Sequence, residues 1–422
     1  MQRQKRSPLL LMALTILIDF TGFGLILPLL PFWAQRLGAG PVGIGLLLTV
    51  YAAAQFVFTP MLGTLSDRFG RKPIILLSLL IEALSLALTA VAGSFPLLLF
   101  ARLIGGLGAS NIGSAQAVVA DVTAPNERAR GMGFIGAAIG LGFVIGPALG
   151  GMLAPLGTTL PFWVAAGVAL INALLVALFL PETRRIESAN ERKGSRGLNM
   201  LFSGWSSAVK HPVVLRLIAV NLLFTLAFTA MESIFALFTQ HTFGWGASEN
   251  GYVFTFVGVI VVIMQGGLVG QLVKRWGEQK VLLAGLVMLA TGLFVLAFSA
   301  QLSWLLMGLG ILSIGDGAVT PTISTLLSFA STAQTQGVTL GFSQGMAGLG
   351  RSIAPLIATS TFALGGPATP FISSGILVVL AVALAFTSVS SIHKPATIEP
   401  VPDEEPAETA FRKHERQPTR AK

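Results

Sequence analysis

Cysteine is absent from the 422 residues of this chain, which excludes disulfides, thiolate metal sites and cysteine nucleophiles. Charge is nearly as scarce: 11% of the residues are Asp, Glu, Lys or Arg and 53% are hydrophobic, against about 25% charged in ordinary soluble domains. Only four histidines occur, and His211, His241, His393 and His414 all fall between apolar runs or in the C-terminal tail. The stretch "GFSQG" at 341–345 therefore has the Gly-x-Ser-x-Gly form of a hydrolase elbow without a base for Ser343 and without a preceding strand. A Gly-x-x-x-x-Gly-Lys-Ser/Thr phosphate loop is also missing, so ATP hydrolysis has no engine here and any work must draw on an ion gradient. The chain is expected not to be an enzyme and to need no cofactor.

Present instead are twelve apolar runs, at 8–33, 44–65, 74–94, 97–119, 130–153, 161–180, 213–238, 249–272, 281–299, 303–328, 337–363 and 368–391. Crossing a hydrocarbon core of about 30 Å takes a helix of about 20 residues. The runs contain Gly and Pro and lack the roughly ten-residue alternation of an outer-membrane barrel, which predicts an all-α integral membrane protein. "MQRQKR" leads straight into a first run that is too long for a signal-peptide core and lacks a small-residue cleavage site, so this run is expected to stay as the first helix. A net charge of +9 could suggest nucleic acid, but its placement says otherwise. With both termini cytoplasmic, 23 of the 27 Lys and Arg residues lie on the cytoplasmic side, only Arg36 lies outside, and Arg102, Arg216 and Arg351 fall within runs. That is the positive-inside pattern. It implies no nucleic-acid partner, and it predicts a multi-pass protein of the cytoplasmic (inner) membrane, surrounded by lipid.

The longest polar interruption before the tail splits the runs six and six. The expected organisation is a six-helix bundle over 1–181, a cytoplasmic linker over 182–212, a second six-helix bundle over 213–391 and a disordered, Pro-rich tail over 392–422. Within the linker, Leu198, Leu201 and Trp205 have helical spacing, which fits either a short interfacial helix or a plain amphipathic connector. The stretch "GTLSDRFGRKP" at 63–73 packs Asp67, Arg68, Arg71 and Lys72 into six positions. "GQLVKRWGEQK" at 270–280 echoes it, with Gly270 on Gly63, Leu272 on Leu65, Arg275 on Arg68 and Gly277 on Gly70 at an offset of 207. Pro147 in "GLGFVIGPALGG" pairs with Pro355 in "GLGRSIAPLIAT" at an offset of 208. Two matches in register mean an internal duplication, its halves parallel about an axis along the membrane normal.

With "DFTGFGLILPLLP" (19–31), "ARLIGGLGAS" (101–110), "ADVTAPNERARGMG" (120–133) and "FGWGASENGYVFTFVG" (243–258) added, the chain resembles the major facilitator superfamily over its full membrane-spanning length. Within that superfamily it resembles the twelve-helix drug:proton antiporters, such as the tetracycline and multidrug efflux proteins. The resemblance implies twelve transmembrane helices in two pseudo-symmetric six-helix bundles, and a monomer that exchanges protons for a small-molecule substrate by alternating access. It implies that Asp67, Arg68 and Arg71 latch the halves together when the transporter opens outward, with Gly63 and Gly70 permitting close approach and a tight turn. It further implies a second gate at Asp121 and Arg128, a pivot or seal at Gly146 and Pro147, and a proton-coupling role for Arg102. One departure stands out: the tetracycline group carries aspartates in its third and ninth helices where this chain has Ser85 and Met288. Glu82 lies one turn before Ser85 and can substitute on the same face, whereas the ninth helix offers no replacement. A broader range of amphiphilic drugs is therefore favoured over tetracycline with its metal ion. The rivals are a transporter of a physiological solute (a sugar, metabolite or lipid) and a non-transporting membrane sensor.

Physical chemistry singles out residues independently of that resemblance. Asp19, Glu82, Arg102, Glu232, Asp316 and Arg351 lie inside apolar runs, where an ionised group costs from about 2.5 to more than 10 kcal/mol unless it faces a cavity or a partner. Asp19 and Glu232 occupy the first and seventh runs, equivalent positions of the two halves. A carboxylate there can take a proton from one side and yield it when a cationic substrate arrives; a helix cap or structural ion pair is the plainer alternative. With Glu82, Arg102 and Asp316 they form the proton-coupling candidates, although Arg102 can also snorkel to the interface. Gln55, Asn111, Gln116, Asn221, Gln265 and Gln344 are candidates for substrate contact or for helix packing. Phe235, Phe238 and Phe256 are candidates for an apolar wall or for the lipid face. Asp67 can pair with basic groups or accept amide hydrogens at a helix N-terminus. Gly142, Gly146 and Gly150 share one helix face, where a neighbouring backbone can come close, and Pro147 bends that helix.

Overall fold

The computed structural model describes residues 3–123, 128–183, 212–331 and 335–389. The linker from 184 to 211, with its Leu198, Leu201 and Trp205, and the tail expected over 392–422 lie outside the described residues. The first half comprises α1 (Arg3–Ile26), the short α2 (Leu30–Arg36), α3 (Pro41–Phe69), α4 (Arg71–Ala90), α5 (Phe95–Gly108), α6 (Ile112–Val122), α7 (Arg128–Leu153) and α8 (Leu160–Phe179). The second comprises α9 (Pro212–Phe243), α10 (Ala247–Ile263), α11 (Val269–Trp276), α12 (Glu278–Ala297), α13 (Leu302–Phe329), α14 (Gln336–Gly365) and α15 (Thr369–Val389). A 3-10 turn over Ala109–Asn111 joins α5 to α6, and a π turn over Met264–Leu268 joins α10 to α11, so each pair makes one span. Among the described residues, eleven spans are long and apolar enough to cross a bilayer. The twelfth is α14, whose 30 residues are diluted by Gln344, Arg351 and several Ser, Thr and Gly.

The expected spans are thus present, but the first is not one rod. Pro28 stops α1 after Ile26, and the chain restarts as α2 with Pro31 in its first turn. Helices α3, α5 and α8 also begin with Pro at the first or second position, where the missing N–H costs nothing. Glycine places the turns: Gly38 and Gly244 (φ 82° and 69°) follow α2 and α9, and Gly70 and Gly277 (φ 104° and 81°) precede α4 and α12. Each pair recurs at close to the 207-residue offset, so the backbone repeats where the sequence does.

The second half has a large apolar core running from Val214 to Ala385 and a small one of Met264, Val269, Val281 and Ala318. The first half also has two. One, from Met12 to Leu180, lies toward the end of the bundle where α3 meets α4, here called the basic end. The other gathers Leu25, Leu29, Ile44, Leu98 and Phe162 at the far end, and it also takes in Leu237 of α9, with Ala247 and Phe362 packed on it. The far ends of the halves therefore share a core.

Between the halves, α3 runs along α14 and α7 along α10. A Cβ built on Gly251 would lie 2.6 Å from the Pro147 carbonyl oxygen, and one on Gly258 would lie 3.0 Å from that of Phe143. Gly45 is pressed in the same way against Thr359 and the Pro355 carbonyl. Nearer the basic end, Gly63, Gly136, Gly266, Gly270 and Gly341 on these same spans meet nothing within 4 Å. The halves touch at the far end and diverge toward the basic end. The Gly142–Gly146–Gly150 face packs on α1, within its own half: a Cβ on Gly146 would come within 2.6 Å of the Thr21 carbonyl oxygen. Pro147 and Gly151, on the neighbouring edge, are the residues that meet α10.

The 63–73 loop is built by Arg71. Its guanidinium reaches Asp67 (2.8 Å), the Ser66 hydroxyl (2.7 Å) and Asp121 of α6 (3.2 Å). The backbone N–H groups of Arg71 and Lys72, at the start of α4, donate to the two carboxylate oxygens of Glu182 at 2.9 and 3.1 Å. A carboxylate on the positive end of a helix dipole satisfies two otherwise orphan donors. Gly70 is required twice, by its positive φ and because a Cβ would strike the Glu182 carboxylate. Of the two roles expected for Asp67, the structure shows the pairing with a basic group, Arg71, while Glu182 receives the amides of α4; Ser66, Asp67 and Asp121, which Arg71 reaches, all lie in the first half. Arg68 is exposed and lies over the Phe69 ring at 5.3 Å. Arg128 begins α7, and its side chain is outside what the structure describes.

Two stability predictions follow from this packing. Gly146→Leu should force α1 off α7 and cost about 1–3 kcal/mol, read as a lower thermal midpoint in detergent, whereas Gly136→Ala should be neutral. Glu182→Ala should speed hydrogen exchange at the Arg71 and Lys72 amides and cost about 1 kcal/mol.

Candidate functional site

Asp19 lies near the middle of α1, with its side chain partly buried. One carboxylate oxygen accepts from the Asn111 amide (2.9 Å) and the other from the Asn172 amide (2.8 Å). Asn111 comes from the 3-10 turn between α5 and α6, and Asn172 comes from α8. Asn172 also donates to the Thr15 carbonyl at 3.1 Å. The turn itself is held by Gln55 of α3, whose amide donates to the Ala109 carbonyl at 3.0 Å. Two amides each presenting N–H to one oxygen suit an ionised carboxylate, and they fix it in orientation without neutralising it.

Beside Asp19 is a second group of charges. Arg102 on α5 is 4% exposed, and its guanidinium stacks 4.1 Å over the Tyr51 ring of α3. Glu82 on α4 is within electrostatic reach of both Asp19 and Arg102. Close helix contact makes this possible: Gly108 lies against the Glu82 backbone, and Gly105 against Ser85 and Tyr51. Phe23 stacks with Tyr51 at 5.9 Å and meets Phe143 of α7 edge-on at 5.9 Å, while Phe20 meets Phe143 at 5.5 Å. An aromatic wall from α1, α3 and α7 thus adjoins an acid, a second acid and an arginine.

The second half carries Glu232 on α9, within electrostatic reach of Asp316 on α13 and Arg351 on α14. Asp316 is 9% exposed, whereas Arg351 is exposed despite its place in the middle of α14. Glu232 is not level with Asp19: by the 207-residue offset Asp19 pairs with Leu226, so Glu232 lies six residues, about 9 Å, nearer the far end.

Several candidates have other work. Phe235 and Phe238 are buried in the second-half core, against Phe254 (5.3 Å) and Phe371 (4.8 Å), and line no open surface. Their spacing on an apolar helix gave no means of telling core from cavity. Phe256 is 38% exposed. Asn221 donates to the Ser343 hydroxyl at 2.9 Å and so ties α9 to α14, with Ser343 buried in mid-helix. Gln55 and Asn111 serve the Asp19 network, while Gln116, Gln265 and Gln344 are exposed and free to meet a solute. Asn172, Tyr51, Phe20, Phe23, Phe143 and Glu182 were not among the expected residues. Only Asn172 carries a legible signal, as a lone amide in an otherwise apolar run.

At the far end, Gln35 and Gln240 exchange amide hydrogen bonds of 2.7 and 3.0 Å across the halves. They are 205 residues apart, close to the repeat offset, so equivalent residues meet at the pseudo-two-fold axis. They border a cleft of about 620 Å³ that includes Trp33, Arg36, Pro155 and Ser248. None of the intramembrane ionisable groups lines this cleft; it is a far-end vestibule above the closed seam.

The model of the Major Facilitator Superfamily matches residues 12–279 and again 266–421. Multidrug resistance protein 2 of Bacillus subtilis (strain 168) is 29% identical over 384 residues, covering 90% of this chain and 95% of that protein. The class D tetracycline resistance protein of Salmonella ordonez is 31% identical, covering 83% and 88%. Among solved structures, the human organic anion transporter MFSD10 (TETRAN) superposes with a TM-score of 0.69 at 26% identity over 90% of this chain and 99% of that one. A bacterial homolog of the human lysosomal transporter Spinster shares the fold, with a TM-score of 0.74 at 17% identity. The chain belongs to the major facilitator superfamily: it is a multi-pass membrane transporter, not an enzyme, with multidrug and tetracycline efflux proteins among its relatives.

Proposed function

We propose that the protein is a proton-coupled antiporter that exports amphiphilic drugs or similar small molecules across the cytoplasmic membrane by alternating access, working as a monomer. The observation that carries this reading is Asp19: an acid within the membrane, held by two neutral amides and, among the described residues, in no salt bridge. An ionised carboxylate at that depth needs a counter-charge or a proton. A cationic substrate and a proton can each meet that need, and not both at once, which is the logic of exchange. The aromatic wall of Phe20, Phe23, Tyr51 and Phe143 suits the apolar body of such a substrate. Glu82 and Arg102 adjoin the same acid and are assigned to proton coupling, as are Glu232 and Asp316 in the second half.

The excess of Lys and Arg at the basic end supports a cytoplasmic position for that end and for both termini. On that orientation the divergence of the halves opens the transporter inward, and the Gln35–Gln240 pair with the shared apolar core closes it outward. Arg71 reaches Asp67 and Asp121 within the first half in this state, and these pairs would be exchanged when the inner ends close. A second reading, export of an organic anion, is favoured by the exposed Arg351 and by the organic anion transporter among the structural relatives.

In proteoliposomes with an imposed pH gradient, a cationic dye should be driven across the membrane, and Asp19→Asn should lower that flux by about 100-fold. Glu232→Gln should impair it as well; full flux in both variants would remove the coupling site. Transport of an anionic dye alone, lost in Arg351→Gln, would favour the second reading. Because the chain has no cysteine, Gln35→Cys with Gln240→Cys supplies a single thiol pair. Joining the two with a short reversible bis-thiol reagent should hold the far end shut and stop transport, and reductant should restore it.

A further inference from the structure

Seven buried side-chain polar atoms have no hydrogen-bond partner among the described residues; six belong to the first half and the seventh, Thr183 Oγ1, lies just after it. Four fall into a pattern: Thr15 Oγ1, Ser78 Oγ, Ser114 Oγ and Asn172 Oδ1. They come from α1, α4, α6 and α8, four helices that contact one another in a closed ring. Thr15 lies seven residues past Pro8, Ser78 seven past the start of α4, Ser114 eight before the end of α6 and Asn172 seven before the end of α8. At about 1.5 Å per residue, all four lie about 10–12 Å from the basic end. Each is at most 1% exposed. Their chain neighbours Ile16, Leu79, Ala115 and Ala173 belong to a single apolar cluster, so the four polar residues border one core.

A buried polar atom without a partner is costly and rare, and four in one layer of one bundle call for a common cause. Three hydroxyls and an amide oxygen can be satisfied together by water, each molecule making two to four hydrogen bonds. The second half gives the contrast. At the 207-residue offset the corresponding positions hold Leu222, Gly285, Pro321 and Val379, none of which carries a side-chain polar group. The layer is therefore not needed to build a six-helix bundle of this kind. It lies one turn from Asp19 and is joined to it by Asn172, whose amide nitrogen bonds Asp19 while its oxygen is left for the layer.

We propose that this layer is a hydrated chamber that exchanges the proton of Asp19 from inside the bundle, apart from the path that the substrate takes. The proposal rests on the proton-coupled reading above. In the step, the O–H bond of protonated Asp19 breaks as a chamber water gains the proton. The electron pair stays on the carboxylate, where the Asn111 and Asn172 amides hold it. The other charged groups near Asp19, Glu82 of α4 and Arg102 of α5, come from the side of Tyr51. Between the chamber and the basic end, Met12, Ile75, Val119 and Val176 form an apolar layer. That layer prevents an open water wire, which would dissipate the gradient, so the proton passes when the layer parts. Two ions of like charge moving in opposite directions then need not share one passage.

The test compares the intact protein with Thr15→Val/Ser78→Ala/Ser114→Ala in proteoliposomes loaded with a cationic dye. Two modes are measured: flux driven by a pH gradient, and dye-for-dye exchange at equal pH, which needs no net proton movement. The triple variant should lose gradient-driven flux by about tenfold or more and keep exchange. Equal gradient-driven flux in the two proteins, with a raised thermal midpoint in the variant, would show a dry packing defect and overturn the chamber. Absence of gradient-driven flux in the intact protein would instead overturn the exporter reading and the chamber with it. Should the triple variant fail to fold, Thr15→Val against Thr15→Ser decides the matter: the chamber requires that Ser keep the gradient-driven flux and Val lose it.

Discussion

A polar group in hydrocarbon must find a partner within the protein, and most of this structure follows from that. The backbone meets the demand with helices alone. Side chains meet it by bonding down their own helix, as the Thr and Ser hydroxyls of α9, α13 and α14 do, or by reaching across to another. Asp19 is the strongest cross-link: one carboxylate on α1 draws an amide from α8 and another from the turn between α5 and α6. That turn is 3-10 rather than α, and Gln55 of α3 braces it. Four spans are thereby positioned by one acid. The helices can be held by neutral groups at this point, which leaves the charge itself available.

Glycine solves the complementary problem of bringing backbones close without the hydrophobic drive that water supplies. On α7 it works in two directions. Gly142, Gly146 and Gly150 seat α1, and Gly151 with the Pro147 carbonyl seats Gly251 of α10. The same helix therefore fixes the internal geometry of one half and forms the seam with the other. Such contacts are stiff where they exist and vanish where the helices part. That combination favours rocking of two rigid halves about the far-end seam over bending within either half.

The spans, the duplication and the ionisable groups were legible because each rests on one-dimensional signals: length, offset and the rarity of charge in apolar runs. Gly70 was readable as a turn residue and has the positive φ that such a turn needs, whereas Gly63, read in the same way, lies within α3, where a Cβ would meet nothing within 4 Å. What a residue faces was not legible. Phe235 and Phe256 are both apolar residues on apolar helices, yet one fills a core and the other is 38% exposed. Capping of α4 by Glu182 was hidden because donor and acceptor are 110 and 111 residues apart. Asn111 and Gln55 were recognised as polar groups needing a purpose, but which purpose depends on the turn at Ala109–Asn111, and nothing in "GASNIG" announces that the helix tightens there.

Duplication supplied a symmetric frame, and the chain has since used its halves differently. The second half holds the largest apolar core, and Asn221 and Ser343 bond each other across its helices. The first half carries the Arg71 network, the Asp19 amides and six of the seven unpartnered buried polar atoms found among the described residues. Lys274 stands where Asp67 does, and Leu226 where Asp19 does. A half with a large apolar core can be packed for rigidity even where it carries Glu232 and Asp316, and a half with several unpartnered buried polar atoms is packed less completely. On the proposed exchange mechanism that division is an advantage: the more rigid half would supply the lever, and Asp19 in the more polar half the event that moves it.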